Sequence, residues 1–443
     1  MKLAIVLLLF MSSMSFAQST MDAWVNQEYA SLETIYKQIH THPELSYEEV
    51  NTSALIAAEL KKAGYEVTDH FGQYIDPKRT SYGVVGVMKN GNGPVVMVRT
   101  ELDALPVEEK TGLPYASKAK AKNDDGEEVP VMHACGHDIH MTVFVGVARA
   151  LASQKNSWHG TLVMIGQPSE ERAPGGAQAM LNAGLFTKFP KPDYCISLHD
   201  NAFLETGKVG WGEGYVFAGV DMVDITMRGS GGHGAYPQTT KDPVVMAAEL
   251  VLALQTIVSR EVTPGEPAVV TVGSIHGGTK HNIIPDEVKL QITVRSYKKE
   301  TRDLLLSSIQ RIANGIAQAG GAPAGREPII DLHPDAYVPA TYNNPDLVRR
   351  LVPVFVAELG EQNVVQIAPL MGGEDFSWFA LPDHSVPTFQ FHLGAVDPAK
   401  VAESKQNHTQ LPSLHSSLFA PVPEPTIKTG VKAMTAAVLN LMK

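Results

Sequence analysis

Four apolar, strand-like runs separated by helical patterns constrain this chain more than any other feature. The runs are "GVVGVM", "PVVMVRTEL", "TLVMIGQ" and "YCISLH", between residues 83 and 199. The second is apolar enough for a central strand. Between them "DIHMTVFVGVARALASQ" carries a helical period, and "GGAQAMLNAG" reads as a short helix. Strands alternating with helices predict an α/β domain with a largely parallel sheet. Functional side chains are then expected at strand ends and in the loops that follow.

The pattern changes near residue 214. "VDMVDITMRG", "AVVTVGSIHGG" and "EVKLQITVRS" read as strands, and "DPVVMAAELVLALQTIVSR" and "ETRDLLLSSIQRIANGIAQAG" as helices. The order β-α-β-β-α predicts a compact α+β unit of the split βαβ, ferredoxin-like kind. The α/β style resumes with helix "NPDLVRRLVPVFVAELG", strand "PTFQFHLG" and a C-terminal helix after Pro425. The 443 residues therefore divide into a catalytic domain at 22–213 and 326–443, with a small domain inserted at 214–325. Toward the N-terminus, Trp24, Leu32, Ile35 and Ile39 predict one helix. Ser46 and Glu49 form a capping box for a second, with a buried stripe at Ala54, Leu55, Ala58 and Leu60 and a stop at Gly64.

The chain opens "MKLAIVLLLFMSSMSFAQ". Lys2, the apolar run 3–11 and the small residues Ser15 and Ala17 predict a secretory signal peptide over 1–17. The run is too short to cross a bilayer, and no later segment is expected to reach spanning length. The expected mature protein is soluble and exported, most simply to a bacterial periplasm, with no membrane attachment. A net charge of −11 excludes a nucleic-acid footprint. An oxidising compartment would allow a disulfide between the two cysteines. Their settings argue against it, since Cys135 sits among histidines and Cys195 in an apolar run.

Four places combine metal-binding side chains with strand ends. In "VMHACGHDIHMT", Cys135 and His137 at i and i+2 of an extended segment can point the same way, with Gly136 allowing close approach. In "QPSEERAPGG", the adjacent Glu170 and Glu171 point apart, so one can bind metal while the other serves as a base. His199 ends "CISLH", and His415 lies in "LPSLHSSLFAP" before the last helix. Each alone reads more simply as a solvated or satisfied side chain. Together, sulfur, imidazole and carboxylate suit zinc and similar divalent ions. Five ligands exceed one tetrahedral structural site and fit two metals sharing a bridging ligand and a bridging water.

"HTHPELSYEE", "LDALPVEE", "MHACGHDIHMT", "GQPSEE", "SLHD", "GGHGAYP", "HNIIP", "GGEDFSWF" and the late His415 resemble, in order, the co-catalytic metallopeptidase and amidohydrolase family. That family includes aminoacylases, hippurate hydrolase and plant auxin-conjugate hydrolases. The resemblance spans about residues 25–440, and its Cys-Gly-His form is similar to the N-acyl-amino-acid amidohydrolase branch. It implies that Cys135, His137, Glu171, His199 and His415 hold two divalent metals, with Cys135 bridging. Zinc or manganese is implied, with cobalt or nickel as substitutes. It implies Glu170 as general base and Asp103 as the carboxylate that orients a ligand. His233 would stabilise the oxyanion, in many members within the partner subunit's site, and Asn282 would bind substrate. Gly372 and Gly373 would wall the pocket, and the inserted domain would act as a lid in a homodimer. Aminopeptidase-like relatives read His-x-Asp where this chain has Glu101-Leu102-Asp103, which leaves Glu101 without a role. His133 and His140 are expected to support the site, and Glu374 has no assigned role.

The expected reaction is hydrolysis of an amide in an N-acyl amino acid or small peptide. A dipeptidase or carboxypeptidase on the same scaffold is the alternative. An inactive metal- or peptide-binding protein is a further one, and it would have no use for a base at Glu170.

Overall fold

A computed structural model describes residues 2–443, with side chains from Met21 onward. The signal-peptide expectation for 1–17 lies outside the residues whose side chains are described. The chain forms two units. One comprises residues 1–214, 342–368 and 378–443, the other 215–341 and 369–377.

The first unit is built on an eight-stranded sheet. At its centre Gly160–Gln167, Val95–Glu101, Tyr194–Glu205 and Thr388–Val396 are successive parallel neighbours. Val84–Asn90 pairs antiparallel with Gly160–Gln167, so the sheet is mixed rather than largely parallel. The central strands bury both faces, which explains their unbroken apolar runs. Helices Lys2–Thr41, Val50–Lys62, His137–Ser153, Pro345–Leu359 and Pro423–Leu441 contribute to one continuous core with them. Both cysteines are buried and free.

Two sequence expectations fail near Val50–Lys62. Neither Ser46 nor Glu49 caps the helix, whose first N–H groups, of Asn51 and Thr52, go to the Glu44 carboxylate. Ser46 instead donates to Asp103 Oδ2 at 2.6 Å, and Glu49 accepts from Ser169. Its buried stripe is Ser53, Ile56, Ala57 and Leu60, at the helical spacing i, i+3, i+4 and i+7, while Ala54 and Ala58 are exposed.

The second unit is a four-stranded antiparallel sheet ordered Ala268–Gly277, Glu287–Ser296, Gly219–Arg228, Ile329–Asp331. Helices Pro243–Thr256 and Lys299–Ala319 share its apolar core. The last strand falls beyond residue 325, so the unit runs on to Thr341 before the chain leaves it. Pro243–Glu261 is long and apolar enough to cross a membrane, contrary to the expectation that no later segment reaches that length. Its Met246, Leu250 and Leu254 are buried in the unit's own core, while Val244, Val245 and Leu252 face out.

Candidate functional site

The loops that follow the parallel strands carry most of the chemistry, as the fold rule for open α/β sheets requires. Val95–Glu101 leads to Asp103, and Gly160–Gln167 leads to Glu170 and Glu171. His199 is an exception. It lies within the Tyr194–Glu205 strand rather than at its end, because pairing with Thr388–Val396 continues past it.

Cys135 and His137 do not share an extended segment. Gly136 is left-handed, with φ of 81°, and His137 opens the His137–Ser153 helix. A Cβ at Gly136 would lie 2.5 Å from Asp200 Oδ2, so both the conformation and the space demand glycine. His415 is also left-handed, and its N–H donates to Ala134 O at 2.8 Å, which straps the late loop to the motif.

These elements bring Cys135, His137, Glu170, Glu171, His199 and His415 together. Ligand atoms of Cys135, His137 and His199 form one close group, and those of Cys135, Glu171 and His415 another. Cys135 Sγ lies 3.6 Å from His199 Nε2 and 3.3 Å from His415 Nε2. Glu171 Oε1 lies 3.4 Å from His415 Nε2 and 4.0 Å from His137 Nε2. Glu170 Oε2 is 3.9 Å from His137 Nε2.

The surroundings fix the tautomers. His137 Nδ1 faces the backbone oxygen of Asp103 at 2.8 Å, and His199 Nδ1 that of Asp200 at 2.8 Å. A carbonyl only accepts, so Nδ1 carries the proton in each ring and Nε2 presents its lone pair to the centre. His137 Nε2 and Glu171 Oε1 are buried with no hydrogen-bond partner. Such orphans are costly unless something absent from protein chemistry satisfies them. Burial, then Glu171 and Glu170, push the Cys135 thiol well up. A divalent cation reverses that and takes the thiolate. The donor set therefore fits soft-to-borderline divalent metals.

The Asp103 side chain accepts from Ser46 Oγ and, at 3.0 Å, from Glu171 N–H. Glu101 stands beneath the site, paired with Arg99 and 3.0 Å from His140 Nδ1. Burial opposes its ionisation, but Arg99 and His140 hold its carboxyl well below the usual range. His140 Nε2 accepts from Asp200 N–H at 2.8 Å. His133 is buried with both ring nitrogens unpartnered, and burial lowers its pKa to about 4. Sequence reasoning missed Arg99 and Asp200. Their one signal was a charged residue inside, or at the end of, an otherwise apolar strand.

A cavity of about 240 Å³ opens beside Glu171. Leu45, Ala104, Leu105 and Pro106 supply its apolar lining, and Arg79 and Arg172 both pair with Asp124 at its rim.

The second unit brings His233 and Asn282 together. His233 pairs with Ile283 across a short ladder, and Gly234 N–H donates to Asn282 O at 2.9 Å. Ala235 N–H donates to His233 Nδ1 at 3.0 Å, so Nε2 carries the proton of this exposed imidazole. Gly372 and Gly373 belong to this unit and not to the catalytic one. Gly373 lies beside the half-buried Arg295, where a Cβ would sit 3.1 Å from Nη1. Glu374 is buried and accepts from Phe376 N–H.

Residues 97–439 match Peptidase family M20/M25/M40. Hippurate hydrolase of Campylobacter jejuni is 40% identical over 349 residues, 78% of this chain and 84% of that protein. Thermostable carboxypeptidase 1 of Saccharolobus solfataricus is 33% identical over 401 residues, 90% of this chain and 92% of that one. Among solved structures, the Bacillus subtilis YXEP protein, a dinuclear metal binding peptidase from the M20 family, superposes with a TM-score of 0.73 at 28% identity. That match covers 94% of this chain and all of that one.

Proposed function

This chain belongs to peptidase family M20/M25/M40, and from that we propose that it hydrolyses the amide bond of small N-acyl amino acids or peptides, with Glu170 as general base. The observation that carries the reading is the pair of ligand groups sharing Cys135, with His137 Nε2 and Glu171 Oε1 buried and unpartnered between them. Cys135, His137 and His199 would hold one cation and Cys135, Glu171 and His415 the other. Thiolate, imidazole and carboxylate favour zinc, with manganese, cobalt or nickel as substitutes.

When bound, the two cations supply Lewis acidity, acidifying water and polarising the scissile carbonyl. Glu170 takes the proton of the attacking water and returns it to the nitrogen as the C–N bond breaks, leaving a carboxylate and an amine. Asp103 holds His137 and the Glu171 backbone in place. His233, with Nε2–H outward, is suited to donate to the oxyanion. Asn282 would bind substrate beside it. The cavity beside Glu171 has an apolar wall of Leu45, Ala104, Leu105 and Pro106 that suits an acyl group of aryl size, in keeping with the relative named for hippurate. The carboxypeptidase relative supports a second reading, cleavage of a C-terminal residue from a peptide.

Export to a bacterial periplasm after removal of residues 1–17 completes the proposal. A homodimer is favoured by the outward apolar Val244, Val245, Leu252 and Ile275 of the second unit. The test is amine release from a panel of N-acyl amino acids and dipeptides, with wild type and Glu170→Gln matched for zinc or manganese. Turnover lost in the variant with metal retained supports the reading. Metal binding without hydrolysis of any substrate overturns it.

A further inference from the structure

We propose that Glu49 is a positioning residue that, through Ser169, fixes the turn from which Glu170 and Glu171 are aimed. The inference rests on the hydrolase reading for its consequence in catalysis, but not for its geometry.

The turn after Gly160–Gln167 is not a relaxed one. Ser169 is left-handed, with φ of 50°, a conformation that costs a non-glycine residue about 1 kcal/mol or more. Something must hold it. Glu49, fully buried, accepts from Ser169 N–H at 2.7 Å and from Ser169 Oγ at 3.0 Å, both on Oε1. The same hydroxyl accepts from Tyr74 Oη at 2.8 Å and from Tyr47 N–H at 2.9 Å. One donor and two acceptor positions are thereby filled, which is all a hydroxyl offers. Tyr47 is itself left-handed, with φ of 72°, so one serine side chain ties two strained backbones together. From the other side, Gly176 N–H donates to Ser169 O at 3.0 Å. A Cβ at Gly176 would lie 1.7 Å from Pro168 O, so the closure admits only glycine.

Segment 46–49 grips the turn twice. Glu49 holds Ser169, and Ser46 holds Asp103, whose carboxylate receives the Glu171 N–H. The helix that starts at Val50 does not draw on either side chain: the Glu44 carboxylate accepts from Asn51 N–H at 3.1 Å and from Thr52 N–H at 2.8 Å, which leaves Ser46 and Glu49 to the turn. Neither carboxylate oxygen of Glu49 is exposed, so it acts through Ser169 and not on substrate.

The test compares Glu49→Ala, Glu49→Gln and Ser169→Ala with wild type in the full chain. Two quantities are read: zinc affinity by competition with a chelator, and the split between kcat and KM on the best substrate of the panel. Residues supporting a ligand typically carry about 10- to 100-fold in metal affinity or activity. Glu49→Ala and Ser169→Ala should fall about that far in zinc affinity and in kcat, with KM within about threefold. Glu49→Gln keeps the accepting oxygen and should stay within about threefold of wild type.

Zinc affinity and kcat unchanged in Glu49→Ala overturn the proposal. So does a loss in Glu49→Gln as large as in Glu49→Ala. If Glu49→Ala does not fold, Ser169→Ala decides, and wild-type values there overturn it. If wild type hydrolyses nothing in the panel while zinc affinity follows the predicted order, the positioning role stands and the hydrolase reading falls.

Discussion

Cys135 Sγ lies between His199 and His415, 3.6 Å from one Nε2 and 3.3 Å from the other. No other residue belongs to both ligand groups that include a histidine from outside the motif. Cys135→Ser replaces a soft, long-reaching donor with a hard, shorter one. Metal content measured by plasma mass spectrometry should fall from two ions per chain toward one or none. Two retained ions would show that the sulfur is not shared.

Glu170→Gln should keep both metals and the wild-type melting temperature. As a lost general base it should lose about 10²- to 10⁴-fold in kcat. Steady-state kinetics on matched, metal-loaded protein checks this, and a loss under tenfold would assign the base elsewhere.

Gly136→Ala forces a side chain into a left-handed position and against Asp200. The strain alone costs about 1–2 kcal/mol. The melting temperature should drop, and zinc affinity should drop with it, because His137 is the next residue. A variant with normal affinity would show that the motif turn tolerates movement.

A stability experiment addresses His40, which is buried 2.6 Å from Asp138 and 3.2 Å from Glu109. Burial would push its pKa down, but the hydrogen bonds to both carboxylates override it and lift the pKa from 6.5 to about 10. The fold thus favours protonated His40. Its contribution is complete below pH 6.5 and is lost as pH rises through about 10. His40→Gln leaves two buried carboxylates without their cation and should cost about 3–5 kcal/mol near neutrality. Urea unfolding should show the gap between wild type and variant narrowing from pH 6.5 to 10. A gap independent of pH would sink the assignment.

The cavity beside Glu171 gives a steric prediction. Leu105→Trp fills it and should lower kcat/KM for N-benzoyl substrates by about 10-fold or more, roughly one lost buried group. N-acetyl substrates should be spared. Equal losses on both would place the acyl group elsewhere.

Much of this was legible in the sequence because periodicity and side-chain chemistry are local. The apolar strands appear where their runs placed them, and the six candidate site residues converge from four separate stretches. What failed was orientation. Ser46 and Glu49 have the spacing of a capping box, yet tertiary partners outbid the helix end for both. The i, i+2 spacing of Cys135 and His137 suggests an extended chain, but the positive φ of Gly136 turns the backbone so that His137 opens a helix. Arg99 and Asp200 stayed hidden because a buried charge looks like any other until its partner is known, Glu101 on the same strand for Arg99 and His140 on the neighbouring helix for Asp200.

Cys135 and His415 touch although they lie 280 positions apart in the chain. Bringing such distant points together is among the slowest parts of folding a chain. The cluster is therefore incomplete until the last loop before the C-terminal helix has been synthesised and docked. A nascent or clipped chain lacking that loop carries Cys135, His137, Glu171 and His199 without His415. Competence is thus coupled to completeness, and a protein of this design cannot begin to cut amide bonds while it is still being made.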